Sequence, residues 1–499
     1  MSILAYYRAS HLLKNIAQIG PTYDAATPDK YVNFRVAPEY TAPKPIGSGR
    51  YRDVLNSATW DIAIAAAQPG DVIRIRANIP RNLTARGNKY GIGGANMSEG
   101  TDGAPIVITC DPSVWINPND TSNNVGALDI INIDHVHAVG VNVKNSQFGI
   151  RCMNVEGSAS NPVRVAYCTV EDIGHAGIAM QGWWTTITGS GGTPSAGSGN
   201  EYGFSRHLLC EANNVTRTGR TDTEYGEGIY FGRGSTPGWV SFCDNFVARY
   251  NNISHFTSDG IDVKPGCTQF KVHDNVVRSG QAHFGAPLSL CYVASGIDSL
   301  PGWMPADIEG YVEGNRVFDL NLSETGGTTS NQLCYFGMSG LRLANNIFWA
   351  YPDSTTPFYA AVVARIEKDA ADFGTATSWL YNNLYWGRGF ENRGYGASPT
   401  PLTLGAWFTD LNNIYSSGYS GGQHTATSSD FDYTVAAVGE NDSADDNGWG
   451  FGANFDLANA SGLQGAGTAF TSSNLFIDAD ISQRSIPGVT PNPGPFQAY

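Results

Sequence analysis

Two short patterns of apolar and polar positions recur along the chain. The first is glycine followed by apolar, variable, apolar: Gly-Ile-Arg-Cys at Gly149, Gly-Ile-Ala-Met at Gly177, Gly-Ile-Tyr-Phe at Gly228 and Gly-Ile-Asp-Val at Gly260. Alternation at period two sends the first and third residues after the glycine to one side of a strand and the middle one to the other. The second pattern is Asn-Asn-apolar or a close variant. Its second-position asparagines, Asn214, Asn252, Asn275, Asn315, Asn346, Asn383 and Asn413, are 38, 23, 40, 31, 37 and 30 residues apart. Short strands entered through tight corners, in units of about 24 residues with variable insertions, predict a strand solenoid: a right-handed parallel β-helix, all-β in class. Stacked coils then pile like residues into ladders about 4.8 Å apart. The Asn row is expected to hydrogen-bond the turn backbone.

Near the start, Asp53-Val-Leu-Asn-Ser-Ala-Thr-Trp-Asp-Ile-Ala-Ile-Ala-Ala-Ala67 reads as a helix over Val54 to Ala67, stopped by Pro69-Gly70 and followed by a strand at Asp71-Val-Ile-Arg-Ile75. A short amphipathic helix over the open end of a solenoid would cap a core that the first coil exposes. Three units follow: a 1–50 extension or arm, a 51–430 parallel β-helix and a loop-rich 431–499 region ending the solenoid. The extension is read as an attachment arm, an oligomerisation segment or a strap along the helix.

Composition supports a turn-dense β protein, with 59 Gly and 25 Pro against only 15% charged residues. A net charge of −15 repels nucleic acid and anionic membranes, so neither is an expected partner. The interval from Arg206 to Arg278 departs from that field, because its eight Lys/Arg balance its eight Asp/Glu. The first twenty residues make a poor signal peptide and no apolar run reaches membrane-spanning length. An extracellular or virion-associated location is expected, by another export route or after loss of a leader. Monomeric and homo-oligomeric states stay open. The eight cysteines include no Cys-x-x-Cys pair, which argues against zinc, and Cys243, Cys267 and Cys291 repeat at intervals of 24, as an internal thiol ladder would.

Aligning Gly228 with Gly260 stacks Glu227 on Asp259, Tyr230 on Asp262 and Gly232 on Lys264. With Ile229, Phe231, Ile261 and Val263 inward, Tyr230 and Asp262 face outward. Stacked carboxylates repel unless a cation lies between them, and an oxygen-only set suits Ca²⁺, so Glu227, Asp259 and Asp262 are the candidate metal ligands. Such an ion would lower the pKa of Lys264 and make it a base. The bland alternative is a solvent-exposed salt-bridge ladder. Tyr230, Arg233 and His283 are further catalytic candidates, for leaving-group protonation or charge neutralisation. Arg220, His175 and the Trp183-Trp184 pair are candidates for substrate binding, although His175 and His283 also read as wall residues and the tryptophans as the seal of an insertion.

The segments Ala63-Ile-Ala-Ala-Ala-Gln-Pro-Gly-Asp-Val-Ile-Arg-Ile75 and Asn492-Pro-Gly-Pro-Phe-Gln-Ala-Tyr499, together with the strand repeat, resemble the pectate-lyase-like β-helix superfamily over Tyr51 to Tyr499. The acidic residue five positions before a lysine, Asp259 and Lys264, with Glu227 one coil earlier, is similar to the motif of calcium-dependent lyases of the chondroitinase B and alginate lyase type. Pectate lyases resemble it about as well. The resemblance implies β-elimination on an acidic, uronic-acid-containing polysaccharide, with Lys264 as base. Two positions depart from the pattern: Thr257 stands where a further acidic ligand is expected, and no arginine is found near Pro287, where His283 or Arg233 would have to substitute. The alternatives are a glycan-binding tailspike or depolymerase and a polygalacturonase-like hydrolase, whose similar phrases occur here in reversed order.

Overall fold

The computed structural model describes residues 37–88, 95–121, 124–182, 204–221, 225–232, 242–264, 267–279, 285–290, 307–319, 334–336, 339–344 and 346–350, and after these only strands and single residues between 362 and 457. Among them, strands form three parallel sheets of twelve, ten and ten members and one short antiparallel pair. The chain visits the sheets in rotation. Phe242–Arg249 lies in the first sheet, Asn252–Ser254 in the second, Ile261–Val263 in the third, and Thr268–His273 returns to the first beside Phe242–Arg249. This rotation, repeated from Val136–Val139 onward, is a right-handed parallel β-helix.

The core is the tube between the three sheets. The 32-residue offset predicted between coils is the observed one, with Ile229 paired to Ile261, Tyr230 to Asp262 and Phe231 to Val263. The first and third residues after each glycine are fully buried in the tube. Rings stack there as well: Phe231 on Phe246 at 4.2 Å and Phe246 on Phe270 at 5.3 Å between centroids.

The asparagine ladder sits at the corner between the first and second sheets. Nδ2 of Asn213 donates to Oδ1 of Asn251, and the chain continues through Asn275, Asn315, Asn346 and Asn383, each step at 2.9 Å. The ladder's register differs from the second-position alignment. In the first two coils it runs through the first asparagine of each pair, because the inward apolar residue lies two positions after the ladder asparagine, as in Val215, Ile253, Val277 and Val317. The coil from Asn251 to Asn275 is therefore 24 residues long. The residue before each of the first four ladder Asn bends through a left-handed conformation, at Ala212, Tyr250, Asp274 and Gly314. For Ala and Tyr that conformation costs about 1–2 kcal/mol, which the paired amides help to offset.

The helix is shorter than predicted, Ser57–Ala65, since Tyr51–Val54 is already the first strand and pairs with Val72–Ile75. Asn56 caps it: Thr59 N–H donates to Asn56 Oδ1 and Asn56 N–H to Thr59 Oγ1, both at 2.9 Å. Trp60, Ala63 and Ile64 are buried, but Ile62 is 68% exposed, so the helix is apolar on more than its packed face. Residues 37–50 of the predicted extension lie against the first sheet's outer face. There Tyr40 packs on Tyr167 at 5.3 Å, beside Val72, Val107 and Val139, and Tyr167 donates its hydroxyl to Pro38 O at 3.1 Å. No described helix is long and apolar enough to cross a membrane.

The seven described cysteines are buried and free of disulfides. Cys243 and Cys267 occupy equivalent places on neighbouring coils, as the interval of 24 predicts. Cys291 lies outside the described residues.

Candidate active site

The corner between the second and third sheets carries the acidic cluster. Backbone hydrogen bonds from Gly228 N to Asp259 O and from Gly260 N to Ala286 O stack Glu227, Asp259 and Ala286 at one place on three coils. Three residues further on, Asp262 leaves the third sheet between Tyr230 and Ser289. One carboxylate oxygen each from Glu227, Asp259 and Asp262 lies within 4.8 Å of the others. The side chain of Lys264 brings its Nζ to 2.6 Å from Asp262 Oδ2 and to 5.3 Å from the centre of the Tyr230 ring.

Burial sets the energetics. Glu227 is 5% exposed, Asp259 7% and Asp262 not at all, so the solvent-exposed ladder expected on the bland reading is not what forms. Asp259 Oδ1 accepts a hydrogen bond from Ala286 N at 2.6 Å, and a Cβ at Gly285 would overlap that carboxylate. Neither oxygen of Asp262 accepts a well-aligned hydrogen bond among the described residues; the Lys264 ammonium is close enough for an ion pair but off the hydrogen-bond direction. Thr257, at the position where the resemblance implies a carboxylate, is buried, and its hydroxyl also has no described partner. Gly219 and Gly226 lie so close to it that a Cβ at either glycine would overlap Thr257 Oγ1.

Burial pushes the Glu227 carboxyl up to about 8; Lys264 opposes this, while Asp262 and Asp259 add to it. For Lys264, burial works against the charge, but Asp262, Tyr230, Asp259 and Glu227 outweigh it and hold the ammonium well above the ordinary lysine range. The carboxylates alone therefore keep Lys264 an acid. It can act as a base only if another positive charge takes up their field.

The donor set fits a divalent hard cation. Oxygen ligands about 2.4 Å from one ion are at most about 4.8 Å apart, and the three carboxylate oxygens lie within that limit. With all groups ionised, three carboxylates and one ammonium sum to −2, the charge that such an ion would balance.

The remaining sequence candidates divide. Tyr230 is at the site. His175 is on the same corner one coil earlier, with Gln147 Nε2 3.1 Å from its Nε2. Arg220, on the loop that leads to Glu227, is more than half exposed and lies 3.4 Å from Asp172. Arg233, His283, Trp183 and Trp184 lie outside the described residues. Sequence reasoning missed the Ala286 N–H and Gly285, which hold Asp259. No motif marks them, because their role arises only when the next coil stacks.

No family model and no curated protein matches the chain. Solved structures do. An alginate lyase from Paenibacillus sp. str. FPU-7 is 16% identical over 70% of this chain and 99% of its own, with a TM-score of 0.48. The pectate lyase Pel9A is 13% identical over 91% of this chain and 98% of its own, with a TM-score of 0.43. The Dettilon tailspike protein is 12% identical over 74% and 64% of the two chains, with a TM-score of 0.37. The likeness is one of fold. That fold is the parallel β-helix that the three sheets already establish.

Proposed function

We propose that the protein is a polysaccharide lyase that cleaves a uronic-acid-containing polysaccharide by β-elimination, with Ca²⁺ held by Glu227, Asp259 and Asp262 and with Lys264 as base. The observation that carries this reading is a buried group of three carboxylates gathered round one lysine, with both oxygens of Asp262 lacking aligned donors. When bound, the cation neutralises the substrate carboxylate and acidifies the proton alpha to it. Lys264 takes that proton, the C–H electron pair becomes the new C=C bond, and the bond to the O4 leaving group breaks. Tyr230, beneath the Lys264 ammonium, is the described residue suited to protonate the leaving oxygen. Arg233 and His283 keep the supporting roles that the sequence suggests.

A hydrolase of inverting type needs its two carboxyl groups about 6.5–9.5 Å apart to seat a water between them. The tighter grouping here does not match that spacing. The same reading suits a secreted or particle-borne protein, since acidic polysaccharides are met outside cells.

The test is ultraviolet absorbance of the unsaturated product while the protein, with Ca²⁺ and then with EDTA, meets alginate, pectate, chondroitin sulfate, dermatan sulfate and ulvan. A rise that EDTA abolishes and Lys264→Ala removes is the expected result. New reducing ends without that absorbance would replace elimination by hydrolysis.

A further inference from the structure

Three rings lie along the corner that carries the acidic cluster. Backbone hydrogen bonds from Gly149 N to Ala176 O and from Gly177 N to Glu227 O put Phe148, Ala176 and Glu227 at the same place on successive coils. His175 directly precedes Ala176, and Tyr225 lies two residues before Glu227. The His175 ring meets Phe148 edge-on at 5.2 Å and stacks on Tyr225 at 5.8 Å with 24° between planes. The spacing is close to the coil repeat of about 4.8 Å, so the rings form a row along the solenoid axis that ends beside the cluster.

We propose that Tyr225, stacked on His175 and through it on Phe148, presents the ring face, a platform on which a pyranose of the polysaccharide stacks next to the scissile bond. The proposal rests on the polysaccharide reading of the adjoining site and adds to it the residues that hold the chain. Two observations favour a ligand over packing alone. Tyr225 is 52% exposed, so its ring is open to a ligand. Its face is also fixed from below by His175, which is steadied through Gln147. An exposed, preordered aromatic face matches the apolar C–H face of a sugar ring, and ordering it in advance lowers the entropic cost of binding.

The test is binding of the full-length protein in EDTA to alginate, polygalacturonate and chondroitin sulfate by titration calorimetry, followed by KM and kcat with Ca²⁺ on any polymer that is cleaved. We expect at least one polymer to bind, Tyr225→Ala and His175→Ala each to weaken binding about tenfold or more, and Tyr225→Phe and Tyr225→Trp to keep it within about twofold, since the face and not the hydroxyl is used. On a cleaved polymer, Tyr225→Ala should raise KM with little change in kcat. Wild-type binding to none of the three, or Tyr225→Ala binding like wild type, overturns the platform. Tyr225-dependent binding without any unsaturated product supports the platform and removes the lyase reading. Cleavage with an unchanged KM in Tyr225→Ala does the reverse.

Discussion

Loading the carboxylate cluster with Ca²⁺ should expel protons, and the count at two pH values separates the two groups responsible. A Glu227 carboxyl at about 8 is about nine-tenths protonated at pH 7 and about one-tenth at pH 9. Ligation requires the carboxylate, so about 0.9 proton should leave Glu227 at pH 7 and about 0.1 at pH 9. Release at pH 9 therefore reports Lys264, whose ammonium the carboxylates hold until the ion takes their charge. Apparent affinity should rise about tenfold per pH unit below pH 8, or about 1.4 kcal/mol per unit. Calorimetric titration in buffers of different ionisation enthalpy measures the count directly. Glu227→Gln should remove about 0.9 proton of the release at pH 7, and Lys264→Met should leave at pH 9 only what Glu227 releases. Lys264→Met should also shift the Glu227 component to higher pH, because Lys264 is the charge that lowers it. An affinity flat from pH 6 to 9 without proton release, or a shift to lower pH in Lys264→Met, would refute the assignment.

Other perturbations follow from the same geometry. The ion-free protein should lose stability as pH rises from about 4.5 to about 8, since Glu227 binds its proton more tightly folded than unfolded; denaturant titration across that window, with and without Ca²⁺, checks the sign. Gly285→Ala should push Asp259 off Ala286 N and cut Ca²⁺ affinity about tenfold or more, whereas Gly103→Ala, with open space around it, should change nothing in the same calorimetry. Asn275→Ala should cost about 3–6 kcal/mol in chemical denaturation, because Asn251 loses its acceptor for two donors and Ala248 O loses its donor. Asn214→Ala, at a half-buried position with one side-chain bond to Asn252, should cost about 1 kcal/mol. Removing one member of the buried Arg151–Asp129 pair, 2.8 Å apart, should cost about 3–5 kcal/mol, and Asp129→Leu with Arg151→Met should recover most of it.

The fold was readable in the sequence because a solenoid writes its geometry as a local repeat. A glycine with alternating apolar residues fixed the strands at Ile229 and Ile261, and the offset of 32 carried over to the observed pairing. The Asn register slipped by one in two coils because Asn213-Asn214 and Asn251-Asn252 offer two equivalent side chains. Only the inward position of Val215 and Ile253 decides between them. Within the site, Glu227, Asp259, Asp262 and Lys264 were legible since all lie on the repeat or just beside it. Burial was not. An outward-facing strand residue reads as exposed, yet Asp262 is fully covered, and that changes the cluster from a surface ladder into a charge-frustrated pocket. Tyr225 escaped notice because a loop tyrosine carries no period; its stacking on His175 exists only across coils.

Stacking identical residues has opposite consequences at the two corners of the coil. A carboxamide carries both a donor and an acceptor, so each ladder asparagine satisfies the next and the row closes on itself, with side-chain donors also reaching main-chain carbonyls such as Cys210 O and Ala248 O. A carboxylate only accepts. Glu227 stacked on Asp259, with Asp262 alongside, cannot be satisfied by more of the same, and each added carboxylate raises the cost of the others. One lysine offsets part of that cost and leaves aligned hydrogen bonds to Asp262 unmade. The first corner is thus complete without a ligand and contributes stability. The second corner is incomplete as a piece of protein, and a cation with an anionic sugar is a chemical complement to what it lacks. That contrast predicts which positions tolerate change: substitutions in the Asn row should lower the melting temperature and spare cation binding, and Glu227→Gln or Asp262→Asn should weaken cation binding and raise the melting temperature of the ion-free protein. An Asp262→Asn variant that lowers the melting temperature in EDTA would contradict the frustration argument, since it would mean that the carboxylate is already satisfied by the fold.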